Sequence, residues 1–129
     1  MLHPDFYKNK TVVVNFWFIA CRPCIAEMPA LNRLYDKYKS DSTVFIGITF
    51  DDTTKIKKFL ETTDFKFNIV SLTQEDISAF KKISFYPLTI ILNKQSVVRY
   101  VVFGRPAGKK QDEEIFDLLD ARLQKIVKE

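Results

Sequence analysis

Residues 11–24 read TVVVNFWFIACRPC. Thr11 to Phe18 is β-branched and aromatic almost throughout, the composition of a central strand covered on both faces. Beyond Cys21 the period changes. Ile25, Met28, Leu31, Leu34, Tyr35 and Tyr38 recur at spacings of three and four, which predicts an amphipathic helix from Pro23 to about Lys39. Pro23 falls in its first turn, where a missing N–H costs nothing. Pro29 is internal and is expected to kink or shift the helix, because it removes a backbone bond and crowds the preceding turn. Cys21 and Cys24 lie where the buried strand hands over to the helix.

Working outward, Thr43 to Phe50 is a second strand by composition. Asp51-Asp52-Thr53 supplies N-cap chemistry for a helix to about Glu61, with Ile56, Phe59 and Leu60 on its buried side. Phe67 to Leu72 is a short strand candidate. Thr73-Gln74-Glu75-Asp76 opens a short helix with Ile77, Phe80 and Ile83 facing in. Leu88–Asn93 and Val97–Phe103 are strands joined by the hairpin-length Lys94-Gln95-Ser96. Gly104 to Gly108 reads as a turn, and Asp112 to Lys128 as a final helix, apolar at Ile115, Leu118, Leu119, Ile126 and Val127. This order predicts an α/β fold in one domain, residues 1–129, with a mixed sheet covered by helices.

Composition limits the function classes. Of 129 residues, 47% are hydrophobic and 14% aromatic, 12 of them Phe; a chain this size buries roughly two thirds of its unfolded surface, so it is neither disordered nor dependent on staples. The two cysteines are three apart, and so short a loop is worth only about 2 kcal/mol, which rules out a disulfide framework. Net charge is +4, from 20 Lys and Arg against 16 Asp and Glu. The basic residues are interleaved with acids, as in Asp51-Asp52 before Lys55, Lys57 and Lys58, which is the pattern of a solvated face and not of a nucleic-acid surface. The longest apolar runs, Val12–Ala20 and Leu88–Leu92, are too short to span a bilayer, and nothing resembles a signal peptide. Membrane association would run through a tether outside this chain.

The junction carries the chemistry. A helix N-terminus presents unpaired N–H groups and partial positive charge, which favour a thiolate at Cys21, and Arg22 pushes the same way. Three-residue spacing on a helical turn sets the Cβ atoms about 5–6 Å apart, within a small adjustment of a disulfide. Cys21 can therefore attack and Cys24 resolve. The plain alternative is a pair of buried small hydrophobes. Zinc wants four ligands, and the chain offers two Cys and His3, distant in sequence. An intermolecular metal site or a two-thiolate copper site stays open.

The stretch VVVNFWFIACRPCIAEMPALNRLYDKY (12–38), the strand Val44–Phe50 and the segment Phe85-Tyr86-Pro87-Leu88-Thr89-Ile90-Ile91-Leu92 resemble the thioredoxin superfamily. The resemblance is specifically to the TlpA/ResA-like thiol-disulfide oxidoreductases of bacteria. NFW, CxPC, ExP and YPLTIIL occur in the family's order and cover nearly the whole chain. The resemblance implies a thioredoxin fold with a helical insertion before the final β-hairpin, for which Thr53–Ile83 has room. It also implies that Pro87 is a cis-proline against the cysteines and that Tyr86 offers backbone groups to an extended substrate. Glu27 would handle protons near the thiols; its plain reading is helix-end charge compensation or solvation. Asn15 stands where thioredoxin has a buried Asp, and an amide cannot titrate. Trp17 corresponds to a family aromatic near the site, though a core role explains it equally; with Arg22, Pro23, Tyr86 and Pro87 it completes the substrate-facing set. Two positions depart from the pattern: Ala20 replaces the usual Trp, and Arg22 a small or acidic residue.

The expected function is reduction of protein disulfides through a redox-active Cys21–Cys24 disulfide, with no flavin, nicotinamide or metal cofactor. Electrons would come from an upstream thiol-disulfide donor. The implied location is extracytoplasmic, periplasmic or tethered facing the periplasm, in a setting such as cytochrome maturation. The alternative is a thioredoxin-fold binding module whose dithiol is idle or holds a metal. A peroxidase fits less well, because the Pro and Thr pattern expected before its attacking Cys is absent before Cys21.

Overall fold

The computed structural model describes residues 4–80, 85–104 and 110–129. Ile83, His3 and most of the Gly104–Gly108 turn lie outside them, as does the Phe80 side chain. The central strand is β1 (Thr11–Phe16). It pairs in parallel with β2 (Thr43–Thr49) and antiparallel with β4 (Leu88–Leu92), so that Val13 lies between Phe45 and Ile91. β3 (Asn68–Ser71) adds in parallel to β2, β5 (Val98–Phe103) adds antiparallel to β4, and the sheet order is β3-β2-β1-β4-β5. Burial on both faces accounts for the unbroken apolar composition of β1 and β2.

Six helices flank this sheet among the described residues: α1 (Pro4–Tyr7), α2 (Arg22–Ala26), α3 (Met28–Tyr38), α4 (Thr53–Leu60), α5 (Gln74–Phe80) and α6 (Gln111–Val127). On one face Val13, Phe45, Ile91 and Val102 meet Leu31 and Leu34 of α3 and Ile115, Leu119, Leu123 and Ile126 of α6. On the other, Val12, Phe16, Val44, Ile46 and Leu88 meet Ile77 of α5, with Phe6 and Tyr7 alongside. Tyr38 and Lys37 bind α3 to α6: the Tyr38 hydroxyl donates to the Asp120 carbonyl (3.2 Å) and to its carboxylate, which also pairs with Lys37 (2.8 Å).

The helix read as one piece from Pro23 to Lys39 is two. Pro29 has no N–H for the Ile25 carbonyl, and Glu27 donates its own N–H to Ile25 and Pro23 instead; α2 stops there and α3 restarts at Met28. β1 is shorter than the apolar run that announced it, because the Ile19 N–H is captured by Asp51 and leaves the sheet. The segment read as a helical insertion holds α4, β3 and α5, so a strand within it extends the sheet. Leu60, expected to face in, is 39% exposed. No described helix is long and apolar enough to cross a membrane.

Candidate functional site

Cys21 is delivered by the loop that leaves β1. Its N–H bonds the Phe18 carbonyl (3.1 Å), and the Ile19 N–H is held by Asp51 Oδ2 (2.8 Å), which also accepts from the Thr49 hydroxyl (2.7 Å). Asp51 thus fastens the loop to the end of β2. Cys21 is the N-cap of α2: its extended backbone turns into the helix, and its Sγ accepts the Cys24 N–H at 3.2 Å. A cap side chain satisfying an otherwise orphaned N–H is ordinary capping with sulfur in place of oxygen. Cys21 and Cys24 are joined as a disulfide, their Cα atoms 5.2 Å apart. Cys21 is 6% exposed and Cys24 1%, so the outer sulfur belongs to Cys21. Arg22 is exposed and Pro23 half-buried. The Pro23 carbonyl accepts from Glu27 N–H and from the buried Gln111 amide (3.0 Å), which ties the Cys21–Cys24 turn to the start of α6.

Glu27 follows Cys24 by one turn and is 1% exposed. It is not the solvated helix-end charge of the plainer reading. Asn15 Nδ2, on β1, donates to Glu27 Oε1 (3.1 Å) and to the Thr89 hydroxyl (3.0 Å). Glu27 Oε2 has no hydrogen-bond partner among the described residues. Burial pushes the Glu27 carboxyl up to about 8, against the smaller opposing pull of the Asn15 bond. The amide that cannot titrate therefore orients a carboxyl that can.

The opposite wall is the turn into β4. The Tyr86–Pro87 bond is cis, and the buried Pro87 accepts the Gly104 N–H at 2.9 Å. Phe18 sets an edge against the half-buried Tyr86 ring (5.1 Å) and stacks on Phe50 (5.2 Å), joining the Pro87 turn to the Cys21 loop. A Cβ built on Gly104 would lie 2.2 Å from Pro87 Cγ and 3.3 Å from Glu27 Oε2, so Pro87, Gly104 and Glu27 share one small space. Gly104→Ala is expected to unfold at lower temperature, losing about 2–3 kcal/mol as the ring is displaced; an unchanged melting point would show that the turn yields freely.

Of the residues read from sequence, the structure brings together Cys21, Cys24, Arg22, Pro23, Glu27, Tyr86 and Pro87. Trp17 is the exception. It is fully buried, packed on Phe59 and Phe65 (5.4 and 5.5 Å), and cannot touch a substrate. Asp51 and Gln111 were missed. Asp51 did carry a signal: Asp52 alone caps α4, through Lys55 N–H (2.8 Å), which leaves its neighbour for another task. Gln111 sits 88 residues from its partner and carried none. Among the described residues no group of three or more His, Cys, Asp or Glu is placed to hold a metal ion.

A thioredoxin-like fold with a CxxC disulfide capping the helix after its central strand defines the class of this protein. The chain belongs to the AhpC/TSA family, which it matches over residues 3–101. It is 30% identical over 112 residues to the thioredoxin-like protein YneN of Bacillus subtilis, covering 84% of this chain and 65% of that protein. It is 31% identical over 120 residues to the thiol-disulfide oxidoreductase ResA of Bacillus cereus, covering 92% of this chain and 65% of ResA. The chain thus spans just under two thirds of the length of these relatives. A solved thiol-disulfide isomerase from Corynebacterium glutamicum superimposes with a TM-score of 0.75 over 100% of this chain and 88% of its own, at 16% identity, a likeness of fold.

Proposed function

We propose that this protein is a thiol-disulfide oxidoreductase that reduces protein disulfides through Cys21 and Cys24. The observation that carries this is a disulfide whose outer sulfur, Cys21, caps a helix while its inner sulfur, Cys24, lies one turn from a buried carboxyl that burial lifts to about 8. In the reduced protein the Cys21 thiolate attacks one sulfur of the substrate disulfide. The substrate S–S bond breaks, a mixed disulfide forms, and one substrate thiolate leaves. Cys24 then loses its proton and attacks Cys21 Sγ, releasing the second substrate thiolate and closing the enzyme disulfide. Two electrons pass from enzyme to substrate. Glu27, with an affinity for protons near that of a thiol, takes the Cys24 proton as carboxylate and returns it to solvent or to a leaving thiolate.

The electron donor in this scheme is an upstream thiol-disulfide protein that re-reduces the pair. The TlpA/ResA-like resemblance extends this proposal to an extracytoplasmic setting. The reaction itself needs no further cofactor, because the cysteines are the redox centre. A binding module with an idle dithiol is the competing reading. The expected result is that the dithiothreitol-reduced protein cleaves insulin and glutathione disulfides, and that its potential in glutathione buffers lies below the glutathione couple. A higher potential would reverse the assigned direction, and absence of any exchange would leave the binding module.

A further inference from the structure

A groove of about 490 Å³ opens between α4 and the loop that leads into Cys21. Its lining includes Ile19 and Ala20, the two residues immediately before Cys21, together with Phe59, Lys55, Lys58 and Glu61 of the α4 segment. Ala20 and both lysines are exposed, and Ile19 and Phe59 half-buried. Asp51 also borders the groove, but its Oδ2 is engaged by the Ile19 N–H and the Thr49 hydroxyl, so it fixes the wall. In the lining Lys55 and Lys58 balance Asp51 and Glu61, and exposed Arg22, on the other side of Cys21, leaves one cation in excess around the site.

A substrate sulfur bonded to Cys21 Sγ must lay its polypeptide over the neighbours of Cys21. Residue 20 is about 3.8 Å away along the backbone, and its methyl group leaves open a space large enough for a Phe or Leu side chain. Apolar walls there reward a large apolar group removed from water, and the excess cation beside Cys21 rewards an anion next to it. Resting on the oxidoreductase reading, we propose that this groove receives the substrate side chain next to the reacting cysteine. It selects polypeptides in which a large apolar residue and an acidic residue flank that cysteine.

The test measures kcat/KM of the reduced full chain on disulfide-linked peptide dimers. In these, Phe and Asp, Phe and Lys, or Gly alone flank the cysteine, with glutathione disulfide run on the unaltered protein. The expected order is Phe and Asp first, Phe and Lys second and Gly last, with about tenfold between first and last. Ala20→Trp, which fills the groove, is expected to shrink the Phe-over-Gly ratio to within twofold. The double variant Lys55→Glu, Lys58→Glu is expected to place Phe and Lys ahead of Phe and Asp. Turnover that is even across the peptides, or an Ala20→Trp protein that keeps the Phe preference, would overturn the groove while leaving the oxidoreductase standing. No exchange with glutathione disulfide or with any peptide would overturn both.

Discussion

Cys24→Ser is expected to stop the reaction at its midpoint, accumulating one substrate chain per protein through Cys21 and lowering turnover by roughly a thousandfold or more. The reason lies in the asymmetry of the two sulfurs. Cys21 is the outer sulfur and accepts the Cys24 N–H, a bond that strengthens when the acceptor is a thiolate and so favours ionisation there. Cys24 is almost fully enclosed and meets only a sulfur already brought to its neighbour. Removing it leaves the attack intact and deletes the resolving step. Cys21→Ser is expected to form no adduct, because the remaining thiol faces the interior. Intact mass measurement and non-reducing gels after mixing with a disulfide substrate decide the matter. An adduct on Cys21→Ser and none on Cys24→Ser would exchange the two roles. The closed loop is worth only about 2 kcal/mol, so both variants should stay folded and loss of activity will not be loss of structure.

Much of this arrangement was legible because it is written in local periods. The two-sided apolar run before Cys21, the helical spacing after it and the strand pair ending at Phe103 carry their own signals, and the sheet follows from burying them. What escaped reading depends on contacts distant in sequence. Trp17, readable from sequence equally as a substrate-facing or a core residue, is assigned to the core only by its packing on Phe59 and Phe65, more than 40 residues away. Gln111 meets Pro23 only after α6 has folded back across the sheet. Pro29 announced a disturbance, but the break falls at Glu27, where the orphaned Ile25 carbonyl finds another donor. The same break begins α3 on an acidic residue turned inward toward Asn15, a burial that nothing local to Glu27 dictates.

That burial makes the stability of the protein depend on pH in a direction opposite to that of most carboxylates. The folded Glu27 holds its proton to about pH 8, whereas its ordinary value is 4.5. Between those limits the folded chain binds one more proton than the unfolded chain, so stability from this group falls as pH rises, by up to about 1.4 kcal/mol per pH unit. Below 4.5 both states are protonated, above 8 both are ionised, and the slope vanishes. Glu27→Gln retains an oxygen for the Asn15 amide and, like the neutral acid, places an uncharged group at the Oε2 position beside Gly104, which has no partner among the described residues. It is therefore expected to match the parent protein near pH 4.5 and to exceed it by a few kcal/mol near pH 8, with a flatter profile in denaturant titrations across that range. Catalysis should move the other way. Without a group to accept the Cys24 proton, the resolving step slows by roughly ten- to a hundredfold, and the inflection near pH 8 leaves the rate profile. A variant that gains stability at pH 8 and keeps the parent's rate would make Glu27 a burden of packing with no part in proton transfer. A variant that gains no stability would show that water or an unseen partner already meets Oε2 and that the carboxyl ionises in its ordinary range.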